Sequence, residues 1–149
     1  ALPTTLDWQL DVAGDGPARA EVADLMAPFG ARVVLLGALD AQALQERYSK
    51  AGLLIWPGVN EAFGVTYLEA QAAGIPVVAQ DRPGVRDVVA GPQPAVSEGP
   101  EAMAARLAAL LQDTDARRAA GTTARHAMRD HHLLGTAART LGAVLEAAL

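Results

Sequence analysis

The chain has 149 residues, a length that favours one domain and lets folding bury roughly two-thirds of the unfolded surface. With 51% hydrophobic and 19% charged residues it is not a disordered sequence, and at 4% aromatics its core must be aliphatic. A net charge of −5 with no basic stripe argues against a nucleic-acid partner, and the lack of cysteine excludes disulfides, thiolate metal sites and a cysteine nucleophile. No apolar run approaches the ~20 residues of a membrane span and no signal peptide opens the chain, so a cytoplasmic protein is expected.

In chain order, four short apolar runs rich in Val, Leu and Ile read as strands buried on both faces: residues 6–13, 32–36, 53–56 and 76–79. Between them lie helical stretches. Residues 18–27 place Val22, Leu25 and Met26 on one side. A second stretch starts at Asp40, a suitable N-cap, with Leu44 and Tyr48 on one face. Residues 63–73 form a third, closed by Gly74 and then Pro76. This alternation predicts an α/β domain, a Rossmann-like three-layer parallel sheet with helices on both faces. The Pro- and Gly-rich residues 91–100 read as a loop with one short strand at Ala95-Val96. Helices follow over 101–111, 115–130 and 133–149, so a single domain divides into a βα core at 1–97 and C-terminal helices at 98–149.

Ligands of open parallel sheets bind beyond the carboxyl ends of the strands, so the residues at each exit are the candidates. The exits are Gly14-Asp15-Gly16-Pro17, Gly37-Ala38, residues 57–64, and Gln80-Asp81-Arg82-Pro83-Gly84. Each contains glycine, which permits close backbone approach to a ligand. The third exit adds a helix N-terminus at Gly64, where unpartnered N–H groups and the helix dipole suit a phosphate. It also places Glu61 before the helix and Glu69 within it. Two carboxylates beside a phosphate site would repel it unless they serve hydroxyl groups. A nucleotide-diphosphate sugar has hydroxyls at both ends and a diphosphate between, which matches that layout. Arg82 and Arg86 stand at the fourth exit, where either could meet phosphate or a neighbouring acid. Asp15 reads as a turn former, and Trp8 and Trp56 as packing residues. Gly14-x-Gly16 followed by Arg19 fails the dinucleotide fingerprint, which needs glycine at that third position. His126, His131 and His132 lack the companions of a metal site, so no metal is expected.

The run from Glu61 to Ala79, EAFGVTYLEAQAAGIPVVA, resembles the E-x7-E signature of the GT4-type (group 1) retaining glycosyltransferases. Gly14-Asp15-Gly16-Pro17 is similar to that family's GxGP strand exit, residues 33–37 to its V-x-F-L-G segment, and Pro83 to Asp87 to its G-G-x-x-E turn. The likeness runs from about residue 6 to 90 and more loosely beyond.

The resemblance implies the C-terminal, donor-binding half of a GT-B fold, transferring a sugar from a nucleotide-diphosphate sugar to an acceptor hydroxyl with retention. Glu61 would act as the catalytic group, holding sugar hydroxyls and stabilising developing positive charge. Phe63, Gly64 and Val65 would contact sugar and phosphate, with Gly14 and Gly16 bordering the diphosphate; Arg82, by its place at the fourth exit, is the further phosphate candidate. Glu69 would bind the ribose diol, and Gly37 and Ala38 the edge of the base. The nucleotide sugar is a substrate, and no cofactor is implied. Pro83 and Asp87 stand where the family has Gly and Glu. The family's first strand of this domain, with its phosphate-binding Arg and Lys, and the N-terminal acceptor domain would lie upstream of Ala1. The chain alone is therefore expected to have little activity. Strand 6–13 would then pack directly against 53–56, have its gap filled by another chain, or belong to a longer product. An open strand edge there would invite a homodimer. Two alternatives stand beside transfer: a sugar-nucleotide epimerase of the same fold, and a non-catalytic nucleotide-sugar-binding remnant.

Overall fold

A computed structural model describes residues 2–3, 5–58 and 64–147. They fall into two compact units, Pro3–Lys50 and Ala51–Leu149, the latter joined by Leu2.

In the first unit, strand β1 (Leu10–Ala13) runs parallel to β2 (Val33–Gly37), in register from Leu10 opposite Val33 to Ala13 opposite Gly37. The register slips between Val12 and Ala13. Helix α1 (Arg19–Met26) connects the two strands and runs into a 3-10 stretch at Ala27–Arg32. Pro28 near its start and Gly30, at φ 55° and ψ −133°, set the geometry of that stretch. Residues 6–9, expected as strand, lie outside the ladder. β2 begins only at Val33, so they have no strand opposite. Arg32 engages them instead: its Nη1 donates to the Leu6 carbonyl at 2.8 Å and its guanidinium lies over the Trp8 ring. Helix α2 (Ala41–Lys50) starts at Asp40, whose Oδ1 accepts the Ala43 N–H at 2.8 Å, as an N-cap should.

In the second unit, β3 (Leu54–Trp56) pairs in parallel with β4 (Val77–Ala79). All three residues of β4 are buried, as its unbroken apolar run implies. Helices α3 (Val65–Ala72), α4 (Val85–Val88), α5 (Gly99–Gln112), α6 (Thr114–His131) and α7 (Leu134–Ala147) complete the unit. The stripe Met103, Leu107, Leu110 of α5 packs on Val78 of β4 to form a core cluster. Each such side chain contributes about 1.5–3 kcal/mol by leaving water. The expected strand at Ala95-Val96 is reduced to one bridge between Ala95 and Asp81. Glu98 Oε2 accepts the Ala95 N–H at 2.6 Å and turns the chain into a 3-10 stretch at Val96–Glu98.

Helix α6 holds α3 from behind. A Cβ on Gly121 would overlap the Gly74 carbonyl oxygen, so only glycine allows the two segments to approach this closely. Arg125 Nη2 donates to the Ala73 carbonyl at 2.6 Å, a cation at the negative end of α3.

Candidate functional site

Helix α3 carries the second half of the charged signature. Its N-cap, Gly64, adopts φ 67° and ψ 62°, in the left-handed region. A side chain there would be strained, and its Cβ would overlap the Tyr67 ring. Tyr67 is 1% exposed and meets Trp56 of β3 edge-to-face, ring centroids 5.9 Å apart. The end of β3 and the first turn of α3 are thus held by one aromatic contact. Glu61 and Phe63 lie outside the described residues.

The other face of α3 meets solvent. Val65 is 59% exposed, and Glu69, one turn on, is exposed on the same face. Buried Tyr67, Ala70 and Gln71 form the opposite face. Gln71 is fully buried and works as a clamp. Its Nε2 donates to the carbonyls of Tyr67 (3.1 Å) and Val88 (2.9 Å), and its Oε1 accepts the Ala90 N–H at 2.7 Å. The helix bearing Glu69 is thereby fastened to the end of α4.

At the exit of β4, Arg82 is half-buried and turned onto Gln80, donating through Nε (3.0 Å) and Nη2 (2.7 Å) to one Oε1. Arg86 pairs with Asp81 at 2.5 Å, and this hydrogen bond and charge hold its guanidinium above its ordinary pKa. Gly84 is the N-cap of α4, so the family-like turn at 83–87 opens a helix despite Pro83 and Asp87.

Within the Pro3–Lys50 unit, the first two exits meet. Gly14 N–H donates to the Gly37 carbonyl at 2.8 Å, extending the pairing with β2 one residue beyond β1. Gly37 is buried and Ala38 exposed. Asp15 is the turn former expected, its Oδ1 accepting the Gly16 N–H at 2.8 Å. A cavity of about 390 Å³ opens here, lined by Val12, Gly14, Asp15, Gly16, Arg19 and Leu35 among others.

Two residues escaped the sequence reading. Arg19, noted only as a missing glycine, pairs with Asp15 at 3.3 Å and lies over Gly37. Its four-residue spacing from Asp15 was the available signal. Gln71 was marked only by being polar on the apolar side of its helix. Among the described residues, no helix is long and apolar enough to cross a membrane.

The family model for glycosyl transferases group 1 matches residues 2–127. An uncharacterized glycosyltransferase of Methanocaldococcus jannaschii is 36% identical over 94 residues, covering 60% of this chain and 24% of that protein. A D-inositol 3-phosphate glycosyltransferase of Thermobispora bispora is 41% identical over 124 residues, covering 78% of this chain and 29% of that one. The chain therefore spans only 24% and 29% of the lengths of these curated relatives. Among solved structures, WaaG, a glycosyltransferase involved in lipopolysaccharide biosynthesis, matches with a TM-score of 0.76 at 26% identity, over 93% of this chain and 39% of that one.

Proposed function

The chain belongs to the group 1 glycosyl transferases, with the α/β architecture of one half of a GT-B enzyme, and on that premise we propose that it binds the nucleotide-diphosphate sugar donor. The observation that carries this is α3. A left-handed glycine opens the helix, and Glu69 is exposed one turn beyond Val65 while the opposite face is locked inside. A carboxylate so placed accepts two hydroxyl hydrogen bonds at once, as a ribose diol requires. The first N–H groups of a helix have no carbonyl a turn earlier in the helix, so those of Val65 and Thr66 suit a phosphate oxygen.

In this reading Glu61 faces the transferred sugar, and Phe63, Gly64 and Val65 contact sugar and phosphate. Arg82 exchanges Gln80 for a phosphate oxygen when the donor binds. The Gly14–Gly16 turn borders the diphosphate and Gly37-Ala38 the base. Transfer to an acceptor hydroxyl proceeds with retention, driven by electrostatics: the leaving diphosphate is held by N–H donors and the cationic sugar by carboxylate. The nucleotide sugar is substrate, and neither metal nor cofactor takes part. Acceptor binding belongs to a further, N-terminal domain, and an open strand edge would also serve a homodimer. These 149 residues alone should therefore turn over little or no donor. Robust transfer to simple acceptors would overturn that expectation.

Calorimetric titration with UDP, GDP and ADP tests the binding role. One nucleotide should bind, and Glu69→Ala should weaken it about 10- to 100-fold, the loss of charge-assisted hydroxyl bonds. Equal affinity in the variant removes Glu69 from the site. No binding of any nucleotide refutes the donor role. With the full protein, product analysis separates transfer from epimerisation.

A further inference from the structure

We propose that Gln71 is a positioning residue for the donor: its buried amide sets the roll of α3 about its own axis, and so aims Glu69. This rests on the nucleotide-sugar reading and deepens it by adding a residue that touches no ligand. Every group involved lies in the Ala51–Leu149 unit.

Apolar burial alone does not fix the roll of a helix. Hydrophobic contact has no direction, so a helix seated only on apolar groups turns a few degrees at little cost. The inner face of α3 carries Tyr67, held edge-to-face by Trp56, and then Ala70, whose methyl limits rotation little. Gln71, fully buried, supplies the direction. Its Nε2 donates to the carbonyls of Val88 at 2.9 Å and Tyr67 at 3.1 Å, and its Oε1 accepts the Ala90 N–H at 2.7 Å. Both amide hydrogens and the oxygen are engaged. The amide has one workable orientation, since carbonyls face its nitrogen and an N–H faces its oxygen.

The far end of this link is itself anchored. Val88 closes α4, and Arg86 of the same helix pairs with Asp81 at the exit of β4. The Asp81 N–H in turn donates to the Pro94 carbonyl at 2.8 Å. Gln71 therefore ties α3 to a segment that is fastened to the sheet.

Glu69 stands two residues before Gln71, about 200° around the helix, so one side chain faces inward and the other outward. A side-chain tip lies roughly 5–6 Å from a helix axis, and a roll of about 10° carries the Glu69 carboxylate about 1 Å. Hydrogen bonds span only about 2.7–3.2 Å, so a shift of about 1 Å loses one. Methionine would fill the same space without the cost of burying an amide. What the amide adds is direction.

The test is calorimetry with whichever of UDP, GDP and ADP the parent binds, each variant held below its own melting temperature. Gln71→Met keeps the length of the side chain and loses its bonds. Ala90→Pro removes the N–H from the other side and leaves the sequence of α3 intact. Val89, at φ −90° and ψ 121°, already has the backbone that a following proline requires. Each substitution should weaken binding about tenfold. In the Glu69→Ala background each should cost less than about twofold, because the group it displaces is gone. Leu107→Ala opens the core cluster on β4, and should lower the melting temperature while leaving affinity within about twofold. Parent-like binding by either Gln71→Met or Ala90→Pro overturns the proposal. So does an undiminished loss in the Glu69→Ala background, or an equal loss from Leu107→Ala. A parent that binds no nucleotide, or whose binding ignores Glu69→Ala, fails the donor reading itself and this inference with it.

Discussion

Replacing Gln71 by leucine keeps its volume and removes its three hydrogen bonds. The Tyr67 carbonyl retains the helix N–H four residues on, so its loss is small. The Val88 carbonyl and the Ala90 N–H lose the partners that Gln71 gave them at 2.9 and 2.7 Å. Val88 is buried and Ala90 half-buried, so water reaches them poorly. Each orphaned group costs about 1–3 kcal/mol, and a well-buried leucine recovers part of that. The net loss should be about 3 kcal/mol, a large share of the ~5–15 kcal/mol that holds a domain together. With a slope of about 2 kcal/mol/M, the urea midpoint should fall by roughly 1.5 M. Tryptophan fluorescence reads the transition through Trp56 in this unit and Trp8 in the other. Gln71→Glu, which cannot donate, should lose at least as much at neutral pH, because it buries a carboxylate among carbonyls. A loss below about 1 kcal/mol with an unchanged slope would refute the clamp, since Val88 and Ala90 would then be satisfied without Gln71.

Two glycines in helices should respond with opposite sign. Gly121→Ala drives a methyl into the Gly74 carbonyl and should cost about 1–3 kcal/mol, whereas Gly142→Ala in α7 meets nothing within 4 Å and should gain up to about 1 kcal/mol in helix propensity. Paired thermal melts decide, and equal shifts would contradict the close approach of α6 to Gly74. Asp113→Ala removes the cap whose Oδ1 accepts the Ala116 N–H at 2.8 Å, and should cost about 1 kcal/mol. Asp113→Asn should restore most of that in the same melts.

Much of the fold was legible because the local signals agreed with one another. The apolar runs marked where all four strands lie, but burial on both faces holds only for β4. β1 carries Asp11 and alternates half-buried with exposed positions, and Val34 of β2 is exposed, so these two strands are covered on one face. Asp40 and Gly74 marked helix ends through their own chemistry, one as a side-chain acceptor and the other as a backbone that tolerates positive φ. The errors arose where a partner was needed. Residues 6–9 have strand-like composition, yet nothing stands opposite them. The strand expected at Ala95-Val96 ends after one bridge because Glu98 competes for the Ala95 N–H.

The candidate site divides in the same way. The order of residues alone determined which family the chain resembles, where its glycines turn and that Glu69 belongs to a helix after the third strand. Those properties follow from spacing along the chain and from the conformations each residue type permits. Tertiary structure alone decided that Gln71 ties the helix behind Glu69 to Val88 and Ala90, and that Arg19 stands over Gly37. A hydrogen bond or a close approach depends on which atoms the fold brings within about 3 Å. Residues distant in sequence carry no mark of that until the chain has packed.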